Sequence, residues 1–169
     1  DQEVEGLMLF AGKGLCAECH LLTPGPNGEP PLLTDFTYDN LGIPRNPLNP
    51  FYKVDPEWNP DGEDWIDPGL GDTAEYKDFA AANLGKHKVP TLRNVDLRPS
   101  EDFVKAFMHN GVFKSLKEVV HFYNARDVES FPPPEVEKNI NTEELGHPRL
   151  TQREEDLIVL FMKTLSDGF

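Results

Sequence analysis

The sequence predicts an all-α domain with an amphipathic helix at each end of the chain and a long irregular segment between them. Three observations lead there. Apolar residues recur at three- and four-residue spacing over Gln2–Ala11 and again over about 152–165. Two capping boxes, Ser115-Leu116-Lys117-Glu118 and Thr151-Gln152-Arg153-Glu154, open helices in the C-terminal part. Between these ends, ten of the sixteen prolines fall in Thr23–Asp72, which excludes long helices there. With 169 residues the chain is long enough for a sizeable core, and it reads as one domain, 1–169.

In the first helix, Val4, Leu7, Met8 and Ala11 share a face that Phe10 extends. Gly6 lies on this helix, where glycine costs about 1 kcal/mol relative to alanine. A second helix crossing closely at that point would account for it. Gly12 and Gly14 end the helix.

Directly after comes Cys16-Ala17-Glu18-Cys19-His20, a C-x-x-C-H motif. Two thiols at this spacing reach one edge of a porphyrin and add across its vinyl groups, and the following His is carried under the iron as proximal ligand. A redox Cys pair would be expected near a βαβ pattern, which is not seen. A zinc site would need two further suitably spaced ligands, and these are the only two cysteines. The motif therefore predicts one covalent haem c on Cys16 and Cys19, with His20 on the iron. No disulfide is then left. Covalent haem attachment normally occurs outside the cytoplasmic membrane. The expectation is thus a periplasmic protein, exported and cleaved from its leader.

The irregular insertion runs over about 23–85. It carries Phe36, Tyr38, Leu41, Ile43, Phe51, Tyr52, Trp58, Trp65 and Ile66, too many large apolar residues for a disordered linker. It reads as an ordered wrap whose aromatics shield the haem; the alternative is a surface insertion with its own small cluster. Within it, Asp55, Glu57, Asp61, Glu63 and Asp64 form an acidic run without Lys or Arg. Glu57–Gly62 weakly resembles part of a Ca2+ loop, but starts with Glu and has Pro68 where the bidentate Glu belongs. A solvated acidic loop is the better reading, with Ca2+ as the alternative.

A short helix is expected over Asp72–Leu84, ending at Gly85. Pro90 makes Lys88–Val95 an extended turn. Ser100 as N-cap and the spacing of Phe103, Val104, Phe107 and Met108 suggest a helix ending at Asn110-Gly111. The Ser115 box opens a helix through Leu116, Val119, Val120 and Tyr123. The Thr151 box opens a strongly amphipathic one through Leu157, Ile158, Leu160, Phe161 and Leu165.

A helix before C-x-x-C-H and an amphipathic terminal helix resemble the frame of the cytochrome c fold, in which the terminal helices cross near Gly and aromatic residues; Gly6, Phe10 and Phe161 match. Four further stretches are similar to the di-haem cytochrome c peroxidases and MauG-like proteins: Thr34–Gly42, Lys88–Val95, Phe107–Gly111 and Leu116–Asn124. Together they resemble the C-terminal, electron-entry haem domain of that family.

Candidates for a second iron ligand are Met8, Met108, Met162, His87, His109, His121 and His147. Met8 and Met162 fall on helix faces, so core packing explains them. The resemblance implies Met108 as distal ligand, with His109 the main competitor; some members place Tyr or another residue there. It also implies that Arg93 approaches a haem propionate, with Pro90 and Phe36 at the haem. The chain departs from the family in having one C-x-x-C-H instead of two, so the peroxidatic haem is absent from it.

The resulting expectation is a mono-haem electron carrier with His/Met ligation. The alternatives are a peroxidase-like haem enzyme and a redox or gas sensor module. Acidic residues number 30 against 16 basic, a net charge of −14. This disfavours nucleic acid and anionic membrane, and favours redox partners with a basic docking surface. No apolar run is long enough for a transmembrane helix.

Overall fold

In the computed structural model the first helix, α1 (Gln2–Ala11), is capped by Asp1, whose carboxylate accepts from the Glu3 amide. The structure describes residues 1–72 and 74–167, without the side chains of Ala74 and Tyr76. After a 3-10 turn at Cys16–Glu18 come β1 (Tyr38–Asp39), α2 (Ala80–Asn83), β2 (His87–Lys88), α3 (Leu116–Ala125) and α4 (Gln152–Lys163). Helix thus dominates the regular structure, and most of the remainder is irregular. The exception to an all-α reading is a two-residue antiparallel ladder pairing Tyr38 with Lys88 and Asp39 with His87.

Helices α1 and α4 cross at Gly6. A Cβ at Gly6 would overlap the Leu157 carbonyl and stand 2.9 Å from the Phe161 Cβ. The bare backbone lets Phe10 and Phe161 meet edge-on, ring centroids 5.2 Å apart. Phe10, Ile158, Phe161 and Met162 form the core with Leu33, Leu92, Phe107, Leu116 and Val120. Met8 does not join them. It is 71% exposed, outside the face of α1 that α4 covers.

Both capping boxes form, with Ser115 and Thr151 accepting from the amides of Glu118 and Glu154. Helix α3 is then fastened to α4 through Glu155, a carboxylate only 3% exposed. It accepts from His121 Nδ1 at 3.0 Å, Asn124 Nδ2 at 2.7 Å and Lys117 Nζ at 2.9 Å. Burial alone would push Glu155 up, but these hydrogen bonds outweigh it and hold the carboxyl below its ordinary range. A carboxyl depressed in the folded state stabilises above its unfolded pKa, and that contribution is lost as pH falls through the folded value. Acid unfolding monitored by circular dichroism should therefore show stability falling from about pH 4.3 downwards. In Glu155→Gln this segment of the pH dependence should flatten.

Two expected helices take other forms. Ala74–Phe79 is a 3-10 stretch leading into the four-residue α2, with Thr73 outside the described residues; Gly85 follows at φ +79°. Residues 100–110 do not form a helix. Phe103 and Val104 point to solvent, and Phe107 instead bridges to Phe113 in an antiparallel contact. With no neighbour to cover an apolar stripe, spacing alone does not sustain a helix this short.

The Pro-rich insertion is ordered by local side-chain bonds. Asn40, buried, donates to the Val136 and Lys138 carbonyls. Asn59 donates to those of Phe51 and Gly62. Its aromatics gather among themselves: Phe51 lies 4.4 Å from Trp65, and the Arg45 guanidinium sits 4.6 Å above Tyr52. Trp58 is exposed. The expected aromatic shield is thus mainly a satellite cluster.

Candidate haem site

Helix α1 delivers the C-x-x-C-H turn. Gly14 is buried, and a Cβ there would meet the Leu9 carbonyl at 2.9 Å and Ile158 at 3.0 Å. Leu15 then takes a left-handed conformation, φ +59°, and the chain enters the 3-10 turn. The Cys19 and His20 amides both donate to the Cys16 carbonyl, so the two cysteines and the histidine share one turn. The cysteines are free and half-buried, and Cys16 packs on the core cluster.

Burial pushes both thiols up to about 12; for Cys19 the nearby Glu144, Asp39, Asp35 and Glu18 add to it. A redox or nucleophilic Cys needs the opposite shift, so these thiols are held protonated. This suits addition to a vinyl group, which forms one C–S and one C–H bond and consumes the S–H.

His20 is oriented from behind. Its Nδ1 donates to the Leu33 carbonyl at 2.8 Å, which leaves Nε2 with its lone pair free for a metal. Burial holds the ring below its ordinary pKa, and the Leu33 and Pro90 carbonyls oppose that only in part. Leu33 is itself positioned with strain, at φ +55°. The strap after it is pinned where Thr34 Oγ1 donates to the Val89 carbonyl at 2.7 Å and the Val89 amide donates to the Thr37 carbonyl. Two thiols, a backed imidazole and an apolar wall on one turn fit a covalently attached haem, with Cys16 and Cys19 as anchors and His20 as iron ligand.

The other sequence-predicted residues are less uniform. Met108 is half-buried at φ +67° in the turn closed by Gly111, and it is not among the residues that pack on the core cluster with Cys16. That turn is held from outside. Glu135 accepts from His109 Nε2 at 3.0 Å and Asn110 Nδ2 at 2.9 Å, and His87 stacks on His109 at 3.7 Å. Arg93 is paired with Asp167. Phe36 is 56% exposed at φ +64°, with the Lys88 ammonium 4.8 Å over its ring. The Pro90 carbonyl faces the His20 ring. Among the described residues the acidic run 55–64 gathers no three potential metal ligands; the one such group joins the Cys19 thiol to the carboxylates of Asp39 and Glu144.

One residue was not singled out by the sequence. Tyr123 lies one turn beyond Val119 on the same side of α3, and Val119 packs on the cluster that holds Cys16. Burial pushes the Tyr123 phenol up, and the charges of Cys16, Cys19 and Asp39 add to it.

Methylamine utilization protein MauG of Paracoccus denitrificans is 32% identical over 165 residues, spanning 90% of this chain and 39% of MauG. Cytochrome-c peroxidase IdrP1 of Denitromonas iodatirespirans is 32% identical over 171 residues, spanning 95% and 39%. Among solved structures, the diheme peroxidase BthA of Burkholderia thailandensis superposes with TM-score 0.75 at 30% identity, covering 99% of this chain and 43% of BthA. The chain is related to the MauG-like di-haem peroxidases. It is a peroxidase-related haem protein that spans about two fifths of the length of these curated relatives. No protein-family model matches it. The chain surrounds its C-x-x-C-H turn with irregular straps fixed to a few short helices. Among the described residues no helix is long and apolar enough to cross a membrane.

Proposed function

We propose that this chain is a haem c domain, 1–169, that relays single electrons within a peroxidase-related system, in the role of the electron-entry half of its di-haem relatives. The observation that carries the reading is His20: its Nδ1 is committed to Leu33 and its Nε2 is free, on the turn that presents both thiols. A haem bound there supplies one-electron chemistry at iron. The chain supplies covalent anchorage, an oriented neutral imidazole and an apolar wall that limits reorganisation. The setting is periplasmic. The partners are redox proteins with a basic docking face, drawn by the net charge of −14. Arg93 holds Asp167 through one guanidinium nitrogen and keeps its other donors for a propionate.

The identity of the distal residue decides between carrier and enzyme. The family resemblance favours Met108, whose thioether would raise the potential and suit a carrier. The alternative is a peroxidase-like haem enzyme, whose distal position opens to peroxide. The test is the ferric absorption spectrum and midpoint potential of the unaltered protein and of Met108→Ala. A low-spin ferric form in the unaltered protein, with a changed spectrum and a lower potential in Met108→Ala, supports the carrier. A high-spin ferric form in the unaltered protein supports the enzyme. An unchanged spectrum in Met108→Ala would point to another ligand, such as His109.

A further inference from the structure

The backing of His20 is itself held by a second segment of the chain. The ladder of β1 and β2 continues past Tyr38 and Lys88, where the Val89 amide donates to the Thr37 carbonyl at 2.8 Å. Beyond that point side chains join the two segments. Thr34 Oγ1 donates to the Val89 carbonyl at 2.7 Å, and Thr91 Oγ1 donates to the Leu32 carbonyl at 2.6 Å. These two hydroxyls bracket Leu33, whose carbonyl accepts from His20 Nδ1 at 2.8 Å. Leu33 lies in the left-handed region, at φ +55°, which a leucine leaves unless its neighbours hold it there. Thr34 is the firmer of the two holds. It is 6% exposed, and its hydroxyl also accepts from the Phe36 amide at 3.0 Å, which closes the bend that follows. Thr91 is exposed. Lys88 Nζ reaches the same Val89 carbonyl at 3.0 Å, but from the adjoining residue, so it ties nothing to the strap.

We infer that Thr34 is the positioning residue for His20: its hydroxyl keeps the carbonyl of left-handed Leu33 on Nδ1, and so sets the orientation and donor strength of the imidazole. This rests on the reading of His20 as an iron ligand. A hydrogen bond from the far ring nitrogen to a carbonyl fixes a ligating imidazole and raises its basicity. A more basic ligand favours ferric iron, so a slack Leu33 carbonyl should raise the midpoint potential. Thr34 touches neither the iron nor the imidazole and acts through Leu33.

The experiment measures three quantities on the haem-loaded full chain: the midpoint potential, the ferric spectrum, and the hydrogen exchange of the His20 Nδ1 proton followed by NMR. Thr34→Val keeps the branched shape and removes the hydroxyl. It should raise the potential and speed the exchange about fivefold, the factor expected for one buried hydrogen bond. Thr34→Ser returns the hydroxyl and should stay near the unaltered protein in both readings. Thr37→Val removes a hydroxyl that donates to Asp35 within the strap, and should change neither. If Thr34→Val does not take up haem, Thr91→Val should shift both readings in the same direction by a smaller amount, and no shift there would overturn the inference. So would a Thr34→Val protein with potential and exchange unchanged. A Thr34→Ser shift as large as that of Thr34→Val would assign the effect to packing of the methyl group, and an equal shift in Thr37→Val to any lost hydroxyl; either overturns it. A His20→Ala protein with an unaltered ferric spectrum would instead remove the ligand assignment, and the inference with it.

Discussion

Replacing Cys16 and Cys19 together with Ser is expected to abolish covalent haem. In the unaltered protein, acid-acetone extraction should leave the haem on the polypeptide, and pyridine haemochrome should count one per chain. In the double variant the haem should extract completely. The expectation follows from where the thiols sit. Both are free, both belong to the turn whose next residue is a backed imidazole, and both are held protonated by burial. Single variants should retain one thioether. They should also separate the two sulfurs, since Cys16 packs on the core while Cys19 stands among Asp39 and Glu144. His20→Ala should keep both thioethers but lose the proximal ligand, leaving a ferric spectrum open to added imidazole. Two haems per chain, or free haem released from the unaltered protein, would sink the assignment.

The parts of this fold that sequence could show are those in which local and tertiary preferences agree. Both capping boxes formed because Ser115 and Thr151 satisfy backbone donors within four residues, whatever packs beside them. Gly6 was readable as a crossing point because a glycine in mid-helix has a cost that needs a tertiary reason. The helix expected at 100–110 failed because periodicity reports what a segment offers, not what covers it. Phe103 and Val104 found no cover. Met8 failed for the same reason, since α4 reaches only the Gly6–Phe10 side of α1.

The haem motif itself was legible because its chemistry is packed into five consecutive residues. The bond from His20 to the Leu33 carbonyl was not. It depends on a left-handed leucine that no pattern announces.

The largest loss of stability from a small change is expected at Gly6. In Gly6→Ala the added methyl has no room: it would overlap the Leu157 carbonyl and crowd Phe161 at 2.9 Å. A flexible side chain could turn aside, but a backbone carbonyl inside α4 cannot, since it is bonded within its helix. The two helices must therefore separate, which loosens the Phe10–Phe161 contact and with it the packing around Ile158, fully buried at the same crossing. Helix propensity acts the other way, favouring alanine by about 1 kcal/mol. Overpacking a well-filled core typically costs about 1–3 kcal/mol, and displacement of a helix carries it to the upper end. The net should be a loss of about 2 kcal/mol. Gly6→Val should exceed that, because branching both fills the same gap and lowers helix propensity. Met8→Ala, two residues along on the exposed side, should fall within about 0.5 kcal/mol of the unaltered protein. Urea unfolding of the three variants, each loaded with haem, reads the difference directly. A Gly6→Ala protein as stable as the parent would mean that α1 and α4 do not cross as closely as the glycine implies. The haem turn, which follows α1 by only four residues, would then be positioned by something other than that crossing.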